Sequence, residues 1–202
     1  MLDLISFLIE KTPFLAGGFL KNIVISLVAM VLGTVLGTMI AVPIARRWGL
    51  VRWLSGLSIN LTRNVPSFVL MFYIAFILPS EIVLGETVFA ISPEYKAAIA
   101  LVFPVLGFAA DQFLGLVRGS GTFENYLASW IQYFLIILMA SVTASVIGAD
   151  EVLSRANKLI STRSGLDILI GTYTYVAIWF IISGFVFNWI VQSVGSRSSR
   201  KI

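Results

Sequence analysis

The chain has 202 residues, of which 58% are hydrophobic and 12% charged, with a mean hydropathy of +0.97. A soluble domain carries about a quarter charged residues, so a water-facing fold is excluded and a bilayer is the medium this composition fits. There is no Cys and no His, which removes disulfides, thiolate chemistry and imidazole ligands or bases; a metal site would need oxygen ligands alone, and no acidic cluster supplies them.

The length fits one transmembrane domain, 1–202. At its start, Leu2 to Ile9 is too short to span and reads as an amphipathic start lying in the interface. It contains Asp3, is followed by Glu10, and lacks a basic n-region and a small-residue cleavage site, so it is not a signal peptide. A helix needs roughly 20 apolar residues to cross about 30 Å of hydrocarbon. Five stretches qualify or nearly do. The first runs from Phe19 to Ala45. It holds Gly33-Thr-Val-Leu-Gly37, whose small residues four apart leave a flat stripe for another helix rather than a ligand site. The second, Val65 to Leu78, is short, with Pro66 at its start and Pro79 just past its end. The third, Ala97 to Val117, contains Pro104, Asp111 and Gln112. The fourth covers Tyr126 to Ile147 and the fifth Ile168 to Val194. Between them, Val152, Leu153, Ala156, Leu159 and Ile160 recur at helical spacing, with Asp150 and Glu151 opening the segment and Lys158 closing it. This predicts a short external helix on the membrane surface. The expected fold is all-α: five transmembrane helices, with the short helix between the fourth and fifth.

Charge orients the spans. Arg46, Arg47, Arg52, Arg63, Arg118, Arg197, Arg200 and Lys201 fall on one side, with Glu124 as the only acid outside the spans. The other side carries Lys11, Lys21, Lys96, Arg155, Lys158 and Arg163 among eight acids. The Lys/Arg excess places the first group in the cytoplasm, with the N-terminus outside and the C-terminus inside. The net charge of +4 is thus a topology signal and not a nucleic-acid footprint. A Gly-x-x-x-x-Gly-Lys-Ser/Thr phosphate loop is absent, so ATP is not expected to bind this chain. No catalytic residues are expected either, and energy would come from separate subunits.

The order of these elements resembles the membrane subunits of ABC importers for polar amino acids, the binding-protein-dependent permease family, over about residues 18–194. Gly18-Phe-Leu-Lys-Asn-Ile-Val-Ile-Ser26 resembles the family's opening of span one. Leu61-Thr-Arg63-Asn64-Val-Pro66 is similar to the family's Arg-Gly/Asn-Thr-Pro at span two, and Gly107-Phe-Ala-Ala-Asp111 to its Ala-Tyr-x-Ala-Glu in span three. Ser141-Val-Thr143-Ala-Ser-Val-Ile-Gly148 followed by Glu151-Val-Leu resembles Thr-Ser-Leu-x-Ser-x-Ile and Glu-Leu. The resemblance implies a bacterial inner-membrane subunit that takes up a small polar solute such as an amino acid. Its partners would be a second permease subunit, a cytoplasmic ATPase dimer holding ATP and Mg, and an extracytoplasmic solute-binding protein.

One departure carries weight. In the family, a long loop after span three holds a Glu-Ala-Ala…Gly helix that seats in the ATPase. Here only Leu116 to Asn125 separates spans three and four, too short for that helix, and Gly119 and Gly121 disfavour even a brief one. This subunit is therefore expected to be the degenerate half of a heterodimer; a non-transporting structural or regulatory subunit is the alternative. Arg118 and Glu124 are the candidates for a residual ATPase contact.

Each candidate for the solute path has a plainer alternative. Asp111, the only acid in a predicted span, either meets a solute cation or counter-charge, or makes a structural pair near the cytoplasmic end. Gln132, like Gln112, either lines the path or bonds across helices. Ser141 and Thr143 either line it, as the resemblance implies, or bond the preceding carbonyl turn. Arg63 and Asn64 either gate the cytoplasmic mouth against a partner, or Arg63 snorkels at the interface.

Overall fold

The computed structural model describes residues 2–46, 49–64, 66–163 and 165–198. The chain opens with α1 (Leu2–Glu10), turns at Lys11, and enters α2 (Thr12–Ala45), whose Pro at the first turn suits a helix start. α3 (Gly49–Asn64) and α4 (Ser67–Ile77) follow. A two-stranded hairpin, β1 (Glu81–Leu84) and β2 (Thr87–Ala90), leads to α5 (Pro93–Val117). α6 (Phe123–Ala140) runs into a 3-10 segment, Ser141–Ile147, and α7 (Val152–Ser161) and α8 (Leu166–Ser198) complete the described chain.

Among the described residues, four helical stretches are long and apolar enough to cross a membrane: Thr12–Ala45, Pro93–Val117, Phe123–Ile147 and Leu166–Ser193. The expected fifth span, Val65 to Leu78, is an 11-residue helix, rising about 16 Å, roughly half the hydrocarbon thickness. Pro66 is its N-cap, and the chain leaves at Leu78 in extended conformation. The first span begins at Thr12, not Phe19, because no residue between them interrupts the helix.

α2 and α5 form the central pair, brought together by small residues. Both glycines of the Gly-x-x-x-Gly face α5. A Cβ on Gly33 would lie 2.5 Å from the Val105 Cβ, and one on Gly37 would overlap the Leu106 carbonyl oxygen. Backbones at such spacing exclude any larger side chain, as membrane helix pairs require. The main core gathers Ile25, Ala29 and Met30 of α2, Met71 of α4, Leu101 and Val105 of α5, and Ile137 and Leu138 of α6.

Two smaller clusters mark the ends of this pair. At one end, Ala41 of α2 and Ala110 and Leu114 of α5 pack with Ile59 of α3. At the other, Leu15 of α2 meets Val152, Ala156 and Leu159 of α7 and Val176 of α8. From Lys21 to Ala41, α2 rises about 30 Å, one hydrocarbon thickness. These are termed the α3 end and the hairpin end.

Three elements correct the expectation. Residues 49–64, expected as part of a basic loop, form α3, an amphipathic helix docked through Ile59. Residues 81–90, where the all-α expectation holds no strand, form the hairpin. Its Leu84–Thr87 register leaves a two-residue turn whose first position, Gly85, has φ 65, as such turns require. Residues 141–147, expected as the end of span four, tighten into 3-10 geometry. Three hydroxyls each donate to the carbonyl three residues back: Ser141 to Leu138 (2.7 Å), Thr143 to Ala140 (2.7 Å) and Ser145 to Val142 (3.0 Å). These bonds favour the i→i+3 winding, and Gly148 ends it in the left-handed region at φ 88.

α1, expected to lie in the interface, also packs on other elements. It lies on the protein: Leu8 is buried, Gly171 of α8 leaves space for the Leu4 side chain, and the Arg163 guanidinium stands 4.0 Å over the Phe7 ring.

Candidate functional site at the hairpin end

The sequence candidates do not converge. Ser141 is fully buried, and its hydroxyl is consumed by the Leu138 carbonyl and the Asn22 carboxamide, whose Nδ2 donates to it at 2.9 Å. Thr143 is half-buried and faces α4, its hydroxyl 3.2 Å from the Met71 sulfur and 2.7 Å from the Ala140 carbonyl oxygen. Gln132 is exposed on α6, and Gln112 is half-buried on α5. Asp111 is exposed on α5, six residues from its end at Val117, so it belongs to the α3 end, far from Ser141 and Thr143. Arg118 caps the C-terminus of α5, and Glu124 sits in the exposed first turn of α6. Five residues, 118–122, join these two helices, and the Thr122 side chain caps α6 by accepting from the Asn125 N–H at 3.2 Å. The side chains of Arg63 and Asn64 lie outside the described residues.

The polar chemistry concentrates instead at the hairpin end, where Ser141 joins Asn22 and Glu151, which the sequence offered as no site. Asn22, Ser141 and Glu151 are all fully buried. Asn22 Nδ2 donates to Ser141 Oγ and to Glu151 Oε2 at 3.1 Å, while its Oδ1 accepts from the Val152 N–H at 3.1 Å. The Glu151 carboxylate caps α7, accepting from the Leu153 and Ser154 N–H groups at 2.9 and 2.8 Å. A carboxylate at a helix N-terminus satisfies orphan donors and meets the positive end of the dipole. Burial nonetheless pushes the Glu151 carboxyl up from its ordinary value, against the pull of these hydrogen bonds.

A charged rim surrounds this buried knot. Asp150 Oδ2 accepts from Arg155 Nη2 at 2.8 Å and from Lys21 Nζ at 3.0 Å, and Oδ1 from Lys158 Nζ at 2.9 Å. Arg155 and Lys158 hold the Asp150 carboxyl well below the usual carboxylate range. Lys21 also bonds Glu94 at 3.2 Å, so α2, α5 and α7 meet in one ionic cluster. Among the described residues no three acids converge as metal ligands would. The cluster is a clamp in which three cations, Lys21, Arg155 and Lys158, hold two carboxylates, Asp150 and Glu94.

Beside it lies a cleft of about 390 Å³ between α4, the start of α5, the hairpin and the 3-10 segment. Phe72, Phe76, Ile91 and Ile147 make its walls mostly apolar. Among the described residues, Lys96, which is 6% exposed, is the one charged residue lining it. The Lys96 ammonium donates to the Ala75 and Leu78 carbonyl oxygens at 3.1 and 2.8 Å. These are terminal carbonyls of α4 without intrahelical partners, so the cation also suits the negative end of that helix. The signal was present in sequence as a Lys within an Ala-rich helix start. What it touches depends on α4 ending against α5.

No protein-family model matches the sequence, and no curated protein does. Among solved structures, the chain is similar to one chain of an amino acid ABC transporter crystallised with histidines, at 16% identity and a TM-score of 0.75, covering 95% of this chain and 97% of that one. It is also similar to a chain of the MetNI methionine ABC transporter in an inward-facing form, at 14% identity and a TM-score of 0.62, covering 89% and 95% respectively. At such identities the fold is what is shared. The chain is a multi-pass membrane protein with the permease-like fold of an ABC transporter.

Proposed function

We propose that this chain is the transmembrane subunit of an ABC importer for an amino acid or similar small polar solute, acting as the degenerate half of a permease heterodimer. The single observation that carries the reading is the correspondence of fold over nearly the whole of both chains, at a TM-score of 0.75 with an amino acid ABC transporter. The four long helices and the short α4 would rock between outward- and inward-open forms as ATPase subunits close and open. ATP and Mg would be held by those ATPase subunits, and an external binding protein would deliver the solute at the hairpin end, with the α3 end in the cytoplasm of a cell whose inner membrane holds the complex.

The five-residue α5–α6 connection supports the heterodimer, since it leaves no length for an ATPase-docking helix. It also favours a second reading, a structural subunit that holds the complex together without touching solute. Affinity purification of the tagged chain from native membranes tests the assembly. Recovery of an ATPase and a distinct, full-length permease is expected. Recovery of the chain with an ATPase and no second permease would remove the heterodimer, and recovery alone would remove the importer.

A further inference from the structure

We propose that the cleft beneath the hairpin is a subsite for a monocarboxylate with an apolar body, and that Lys96 is the residue that binds the carboxylate. The proposal rests on the importer reading and narrows its solute class. An ammonium group carries three N–H donors. Two of those on Lys96 go to the Ala75 and Leu78 carbonyls. The third has no hydrogen-bond partner in the described protein, although the side chain is 94% buried from solvent by its 6% exposure and lines the cleft. Neutral carbonyl partners contribute no counter-charge. No Asp or Glu lines the cleft; the nearby acids, Glu94 and Asp150, are engaged by Lys21, Arg155 and Lys158. A buried cation without a carboxylate partner is costly, and an anionic ligand relieves that cost. The N-terminus of α5, three residues before Lys96, adds dipole of the same sign.

The walls define the rest of the ligand. Phe72 and Phe76 stand one turn apart on α4 with ring centroids 6.4 Å apart, facing Ile91 and Ile147 across the cleft. Such walls take an aliphatic or aromatic body. Beyond Ser80 they offer no side-chain oxygen, so a second cationic group deep among them, such as a basic side chain, finds no carboxylate partner. Lipid phosphate is the other source of an anion with apolar chains.

The test uses the full chain with whatever subunits travel with it, in nanodiscs of phosphatidylcholine, and measures equilibrium binding of radiolabelled 3-phenylpropionate. Displacement by phenylalanine, and none by phenylalaninamide or arginine, is expected. Lys96→Met should weaken binding by about tenfold or more, as losing a charged hydrogen bond does, whereas Lys96→Arg should retain most of it. Phe76 is 83% exposed, so Phe76→Ser removes little buried contact; it should weaken binding several-fold, which keeps the test decisive where Lys96→Met fails to fold. Displacement by the amide equal to that by phenylalanine, unchanged binding in Lys96→Met or Phe76→Ser, or no binding at all would overturn the proposal. So would loss of binding on adding phosphatidylglycerol, which would assign the cleft to a lipid headgroup. Any of these results with an ATPase still recovered would sink the subsite and leave the importer reading standing.

Discussion

The Asn22 carboxamide and the Glu151 carboxylate meet at 3.1 Å, both fully buried, although 129 positions separate them in the chain. Through this contact a side chain of the first spanning helix completes the N-cap of α7 and aligns the loop between the 3-10 segment and α7. Asn22 is the hub, because its one amide serves Ser141, Glu151 and the Val152 N–H together.

Asn22→Ala should therefore leave the buried Val152 N–H without its partner and take one bond each from Ser141 and Glu151, which keep their bonds to Leu138 and to the Leu153 and Ser154 N–H groups; it should destabilise the chain by about 2–4 kcal/mol, at about 1–3 kcal/mol for one unsatisfied buried group plus two lost bonds. Ser141→Ala, which removes one partner and leaves Asn22 its other two, should cost about 1 kcal/mol. Thermal unfolding of the purified protein in detergent gives the ranking; equal losses would remove Asn22 from the centre of the network.

Asp150 and Glu151 give opposite pH dependences. The folded-state pKa of Asp150 is depressed, so its contribution is present above the unfolded value near 3.8 and is lost as pH falls through the folded one. The folded-state pKa of Glu151 is raised above 4.5, so the folded state binds the extra proton, and stability declines as pH rises from 4.5 through the raised value. Glu151→Gln keeps an acceptor oxygen and removes this ionisation. Relative to the native chain, the variant should gain stability as pH rises from 4 to 7, read as a widening difference in unfolding midpoint. A constant difference across that range would count against a strained carboxylate.

Close approach of α2 and α5 predicts a contrast among glycines. Gly37→Ala forces a Cβ against the Leu106 carbonyl, which cannot move without shifting α5, and should cost about 1–3 kcal/mol, the usual range for overpacking. Gly56 of α3 has open space around it, and Gly56→Ala should stabilise by up to about 1 kcal/mol through helix propensity. Unfolding in denaturant or by heat distinguishes the two signs.

The absence of cysteine from the sequence makes single-cysteine mapping clean. With the α3 end in the cytoplasm, as proposed, Glu86→Cys on the hairpin turn should react with an impermeant maleimide on whole cells. Ser120→Cys in the α5–α6 connection should react only after the membrane is opened. The reverse pattern would invert the topology and remove the importer assignment with it.

The long apolar helices were legible in the sequence because bilayer burial asks one local question, whether some twenty successive residues are apolar enough, and Ile23 to Ala45 answers it without reference to the rest of the chain. The Gly33–Gly37 stripe, the stop at Pro79 and α7 with its acidic opening are likewise written in nearest-neighbour spacing. The docking of α3 through Ile59 and the hairpin around Gly85 were not legible, since a basic loop and an amphipathic helix share a composition until there is a surface to dock on. The candidate residues show the same division. For Ser141 and Thr143 the sequence left open a path-lining role or a bond to the preceding carbonyl turn; their bonds to Leu138 and Ala140 are of the second kind and wind the 3-10 segment. Asn22, Glu151 and Lys96 looked like a helix opening, a cap and a topology charge, and no spacing along the chain could pair Asn22 with Glu151 or bring Lys96 against the end of α4. Hydropathy and turn chemistry are properties of short segments. The partner of a buried polar group is a property of which segments meet, and that is set by packing between helices far apart in sequence.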